Sequence, residues 1–81
     1  MNTVFKSELE RAYDIVQWTP TEEQLLKIAK FIKEHPEQLR LVSGYISEVC
    51  TDVLFYAAEG YDNSDLNYLI AVAIKAVEEA N

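Results

Sequence analysis

The side chains best placed to do something chemical are Tyr45, Glu48, Asp52, Phe55, Tyr56 and Glu59. At about 100° per residue on an α-helix, these six fall with Leu41 inside an arc of roughly 80° to 100°. A face that is merely solvated mixes lysine, glutamine and glutamate, whereas this one has three acids, no base and bulky rings between them. Aromatic rings supply area that gains from desolvation, and carboxylates steer a charged partner toward it; protein interfaces favour that pairing. The chemistry expected of the stretch is recognition of another protein with a basic surface, which the chain would modulate or inhibit. The same rings could instead pack beneath the first helix. A second use of the carboxylates is to imitate a nucleic-acid backbone. Glu48 to Asp52 rises about 6 Å and Asp52 to Glu59 about 10 Å along a helix, a loose match to phosphate spacing. Such a mimic would block a DNA- or RNA-binding protein in the manner of small phage- or plasmid-type inhibitors.

Other reactive residue types lack the company their chemistry needs. A nucleophilic thiolate requires an electropositive, partly open setting. Cys50 has Ile46, Val53 and Leu54 as helical neighbours, so a buried thiol is expected. His35, between Glu34 and Pro36, has no cysteine or second histidine at metal-ligand spacing and reads as structural. Asp62-Asn63-Ser64-Asp65 superficially suits a calcium loop, but Asn67 stands where glycine is needed and Ala73 where a bidentate glutamate belongs. The run Asn63-Ser64-Asp65-Leu66, with the chain's length and acidity, resembles acyl carrier proteins, four-helix domains that carry phosphopantetheine on the serine of an Asp-Ser-Leu motif. Here the order is wrong, and too little chain follows Ser64 for the two helices that come after the modified serine in that family. Gly44 and Gly60 are the only glycines, so no glycine-rich phosphate loop exists. No enzymatic activity, cofactor or metal is expected.

Charge and size narrow the classes further. The net charge is −7 over 81 residues, and it is unevenly placed. Residues 1–40 hold seven acids against six bases, while residues 41–81 hold seven acids against Lys75 alone. A surface of this sign repels nucleic acid and anionic membrane and attracts basic partners at low salt. The length suits a single domain, 1–81, with one core. No uncharged apolar run approaches the ~20 residues needed to cross a membrane. Lys6, Glu8, Glu10 and Arg11 interrupt any secretory leader, and a lone cysteine calls for no oxidising compartment, so a cytoplasmic protein is expected.

Positioning these groups falls to four helices in an all-α compact bundle. The first, about 3–17, carries Phe5, Leu9, Ala12, Tyr13 and Val16 at steps of three and four. Ser7 with Glu10 offers an alternative start. Thr19-Pro20-Thr21-Glu22 reads as a capped entry to the second helix, about 20–34, with Leu25, Ile28, Ala29 and Ile32 inward. Pro36 disfavours helical geometry at His35 and opens the third helix, about 36–59. Leu39, Ile46 and Val53 recur every seven residues, as do Val42, Val49 and Tyr56, which favours one uninterrupted element; Gly44 is where a break would fall. Its inward face is Leu39, Val42, Ile46, Val49, Cys50, Val53, Leu54 and Ala57. Gly60 ends it, and Asp62, Asn63 or Ser64 caps a fourth helix, about 63–79. That helix is apolar almost all round, so a homodimer through it is a further expectation, and a structural assembly subunit is a third reading of the chain's role.

Overall fold

The computed structural model describes residues 3–56 and 66–80. It is mostly helical, a four-helix all-α fold with one small two-stranded sheet. Helix α1 (Thr3–Tyr13) buries Phe5, Leu9, Ala12 and Tyr13, the residues its periodicity places on one face. It stops short of residue 17. Asp14 takes a left-handed conformation (φ 55°), which asparagine and aspartate tolerate better than most side chains. The chain then runs extended as strand β1 (Ile15–Gln17). Ile15 and Val16 are β-branched and favour an extended backbone over another helical turn. Val16, inward on a longer helix, is therefore 62% exposed.

Helix α2 (Glu22–Glu34) buries Leu25, Ile28, Ala29 and Ile32 as its spacing requires. Its cap lies two residues beyond the Thr19-Pro20 start. The Thr21 hydroxyl oxygen accepts from the Gln24 amide at 3.1 Å, and the Gln24 side-chain oxygen accepts from the Thr21 amide at 2.9 Å. The Gln24 side chain also donates to the Val49 carbonyl at 3.0 Å, a tie that a glutamate at Glu22 could not provide. At the other end His35 is the C-cap, its amide donating to the Phe31 carbonyl at 2.9 Å.

The continuous helix expected over 36–59 does not form. Pro36–Leu41 is a 3-10 segment with a kink at Gln38 (φ −120°, ψ 40°), followed by helix α3 (Val42–Val49). Gly44 lies inside α3 without breaking it. The interruption comes at Cys50 (φ −120°, ψ 95°), where a turn is closed by the Val53 amide donating to the Cys50 carbonyl at 3.3 Å. Strand β2 (Leu54–Phe55) follows and pairs antiparallel with β1, Phe55 opposite Ile15 and Leu54 opposite Gln17. The register slips between Ile15 and Gln17, so Val16 is the extra residue of a bulge. Seven-residue spacing of Val42, Val49 and Tyr56 is compatible with one helix, but pairing with Ile15–Gln17 outweighs that local pattern.

Helix α4 (Leu66–Ala80) buries Leu69, Ala73, Ala76 and Val77. The expected roles of Ala57, Glu59 and Gly60, and of Asp62, Asn63 and Ser64 as caps, lie outside the described residues. α4 packs chiefly on α2 and also on α1, while α3 packs on α2. The largest fully buried side chains are Phe5, Leu9, Ile28, Ile32, Ile46 and Leu69, and among the described residues no polar side chain is buried with them. From the expected inward face of the third helix, Leu39, Val42, Ile46 and Cys50 are buried and Val49 and Val53 half-buried, whereas Leu54 is 56% exposed. Within one chain, α1 and α2 already cover the buried side of α4. Among the described residues no helix is long and apolar enough to cross a membrane.

Candidate functional site

With the third helix interrupted, the six residues expected on its outer face are parted. Tyr45 and Glu48 remain on α3. The Tyr45 ring is half-buried and stacks on Phe31 of α2, centroids 4.6 Å apart and planes 19° from parallel, so it serves largely as packing between two helices. Glu48 is exposed beside it. Asp52 lies in the turn after α3, Phe55 on β2, and Tyr56 immediately beyond. Glu59 lies outside the described residues. No single helix face unites the described ones, and among the described residues Glu48 and Asp52 do not rise along one helix.

The two-stranded ribbon gathers a different set. Side chains alternate between the faces of a strand. Ile15 is buried and its partner Phe55 half-buried, so this pair faces the core. Their neighbours face outward: Val16 is 62%, Leu54 56% and Tyr56 82% exposed. Tyr56 is the most exposed large apolar side chain among the described residues, and its backbone is held by its amide donating to the Asp14 carbonyl at 2.7 Å. A ring fixed at its base and bare at its tip resembles an interface anchor rather than a core aromatic.

Two polar clusters brace this ribbon. At the β1 side, the Trp18 indole N–H donates to Glu10 Oε2 at 2.8 Å, and the same oxygen accepts from the Lys6 ammonium at 2.5 Å. Burial pushes the Glu10 carboxyl up, but the bonds from Lys6 and Trp18, with the lysine charge, outweigh it and leave the group below its ordinary value. At the β2 side, Asp52 Oδ2 accepts from the Thr19 hydroxyl at 2.5 Å and from the Thr19 amide at 3.1 Å. The Thr19 hydroxyl bond chiefly holds the Asp52 carboxyl below its ordinary value. This explains why Thr19 does not cap α2: its hydroxyl is committed across the turn. Sequence reasoning misses Trp18 altogether. Its available signal is a lone tryptophan two residues after the Ile15-Val16 pair.

The chain fits no family model, and neither a curated protein nor a solved structure matches it.

Elsewhere the described residues offer little reactive chemistry. No three of their His, Cys, Asp and Glu side chains are grouped as a metal site would need. The Cys50 thiol is buried, and burial, with the nearby Asp52 charge, pushes it up and keeps it protonated. A groove of about 240 Å³ runs between α1 and α4, walled by Val4, Phe5, Tyr68, Val72 and Ala76 with Lys75 and Glu79 alongside. It is smaller than the ~300 to 1,000 Å³ typical of ligand pockets, and its two charges oppose each other, so it selects neither anion nor cation.

Proposed function

We propose that this chain is a protein-binding module whose contact surface is the outer face of the β1–β2 ribbon. The expected role, recognition of another protein with a basic surface, is kept, but its seat moves from a helix to a sheet. Tyr56 carries the reading: a nearly bare aromatic side chain on an anchored backbone, flanked by exposed Val16 and Leu54. Isolated exposed apolar residues are ordinary, but three within or next to so short a ribbon favour a patch of the kind that marks interaction sites. Of the six residues singled out from sequence, Tyr56 and Asp52 stay with this surface. Asp52 acts there chiefly through its bonds to Thr19.

The test is affinity capture from the native host with the wild-type chain and with the triple variant Val16→Thr, Leu54→Ser, Tyr56→Ala. All three positions are exposed, so the variant should keep its helical circular dichroism. The reading expects one or more proteins to be retained by the wild type and lost by the variant. Identical sets retained by both chains would remove the ribbon from the account.

A further inference from the structure

We infer that the element docking on the ribbon is a basic amphipathic helix of the partner, an inference that rests on the reading just given. The first ground is charge. β1 lies within residues 12–26 and β2 within residues 41–74, and neither stretch contains a lysine or arginine. The apolar face of Val16, Leu54 and Tyr56 thus sits in chain segments whose only charges are acidic, Asp14 and Asp52 among them. A second copy of this chain would bring the same sign to the same place, with a net charge of −7 on each side. Lysine or arginine flanking an apolar contact is the complementary arrangement, and a guanidinium or ammonium can also rest on the open Tyr56 ring.

The second ground is the shortness of the strands. An extended peptide joins a sheet by pairing backbone groups along an edge, which requires several free amides and carbonyls in register. Here β2 has two residues and β1 three, the register slips at Val16, and the Tyr56 amide is already bonded to Asp14. Short, bulged edges are how proteins discourage strand addition. Side chains must then carry the contact. Leu54 to Tyr56 spans about 7 Å along the strand, and the strands are about 4.8 Å apart. A face of that size matches the apolar stripe of roughly two helical turns, in which residues i to i+7 rise about 10 Å. Charge and geometry together favour a helix with leucine-like residues on one side and basic residues at its margins.

Two dye-labelled synthetic peptides test this against the full chain by fluorescence anisotropy. Both contain the same numbers of leucine and lysine residues, one arranged with helical periodicity and the other in strict alternation. A third replaces every lysine of the helical peptide by glutamate. The helical basic peptide should bind at least about tenfold tighter than the alternating one, and weaken with added salt. The glutamate version should not bind. Binding should fall about tenfold or more in the Val16→Thr, Leu54→Ser, Tyr56→Ala variant, which keeps the full charge of −7 and so controls for unspecific attraction. If the alternating peptide binds as well or better, and still depends on the ribbon, the helix inference is overturned and the ribbon reading stands. Binding of neither peptide, or binding that ignores the triple variant, overturns both.

Discussion

Trp18→Phe isolates the contact that fixes the ribbon to α1. Trp18 is 5% exposed and its indole N–H reaches a charged carboxylate at 2.8 Å. A hydrogen bond to a charged group contributes about 1.5 to 3 kcal/mol. The Glu10 side chain is a third exposed and keeps Lys6 as a partner, so water screens part of that value and leaves about 1 kcal/mol. Phenylalanine also leaves unfilled space where the second ring of the indole lay, which adds about 1 kcal/mol. The total, about 2 kcal/mol, is a large fraction of the roughly 4 to 12 kcal/mol expected for 81 residues. Urea unfolding followed by far-ultraviolet circular dichroism measures it, because the variant has lost its only tryptophan. A double-mutant cycle with Glu10→Ala separates the bond from the packing, and a coupling of about 1 kcal/mol is expected. The charge assistance of this bond should also vanish in acid. The folded-state pKa of Glu10 lies below its ordinary value, so its contribution is present above the unfolded pKa of about 4.5 and is lost as pH falls through the folded value. A coupling under about 0.3 kcal/mol at neutral pH, or one unchanged in acid, would refute the reasoning.

Three further outcomes follow from the backbone and the core. Gly44→Ala should stabilise by about 0.5 to 1 kcal/mol, since Gly44 lies inside α3 and a Cβ there meets nothing within 4 Å; thermal unfolding should rise by several degrees. Asp14→Val should cost about 1 to 2 kcal/mol in the same assay because of its left-handed φ of 55°, while Asp14→Gly should be near neutral. Cys50 should react with a thiol reagent only as fast as the chain opens. Because its folded pKa is raised, stability should decline as pH climbs above about 9, and Cys50→Ala should flatten that decline while lowering stability overall.

How much of this was legible beforehand varies by element, and for physical reasons. α2 is read almost completely, because Leu25, Ile28, Ala29 and Ile32 have no competing use and Pro36 forces the end. Its cap is misplaced by two residues because Thr19 and Thr21 are equally good caps locally, and only the remote Asp52 takes Thr19 away. α1 and the third element are both read as too long. In each the overrun is a β-branched or aromatic stretch, Ile15-Val16 and Val53 to Tyr56, whose spacing also satisfies a helix. The signal for extension was present in those residue types, but the deciding term is their pairing across nearly forty residues, which no local window contains. The candidate surface shares that fate. Tyr56 and Asp52 stay at the ribbon, while Tyr45 stacks on Phe31 and Phe55 stands opposite Ile15, both half-buried, because the chain turns at Cys50.

The ribbon has one more consequence, for the life of the chain rather than its resting state. Val16 arrives early in synthesis and Leu54 and Tyr56 much later, so no contiguous fragment displays the patch until the intervening helices have formed and the ends have met. Closing so distant a pair is slow relative to helix formation. A partner that grips this patch would therefore favour folded over nascent or unfolded copies, and the stabilisation it added would grow with the logarithm of its concentration above the dissociation constant.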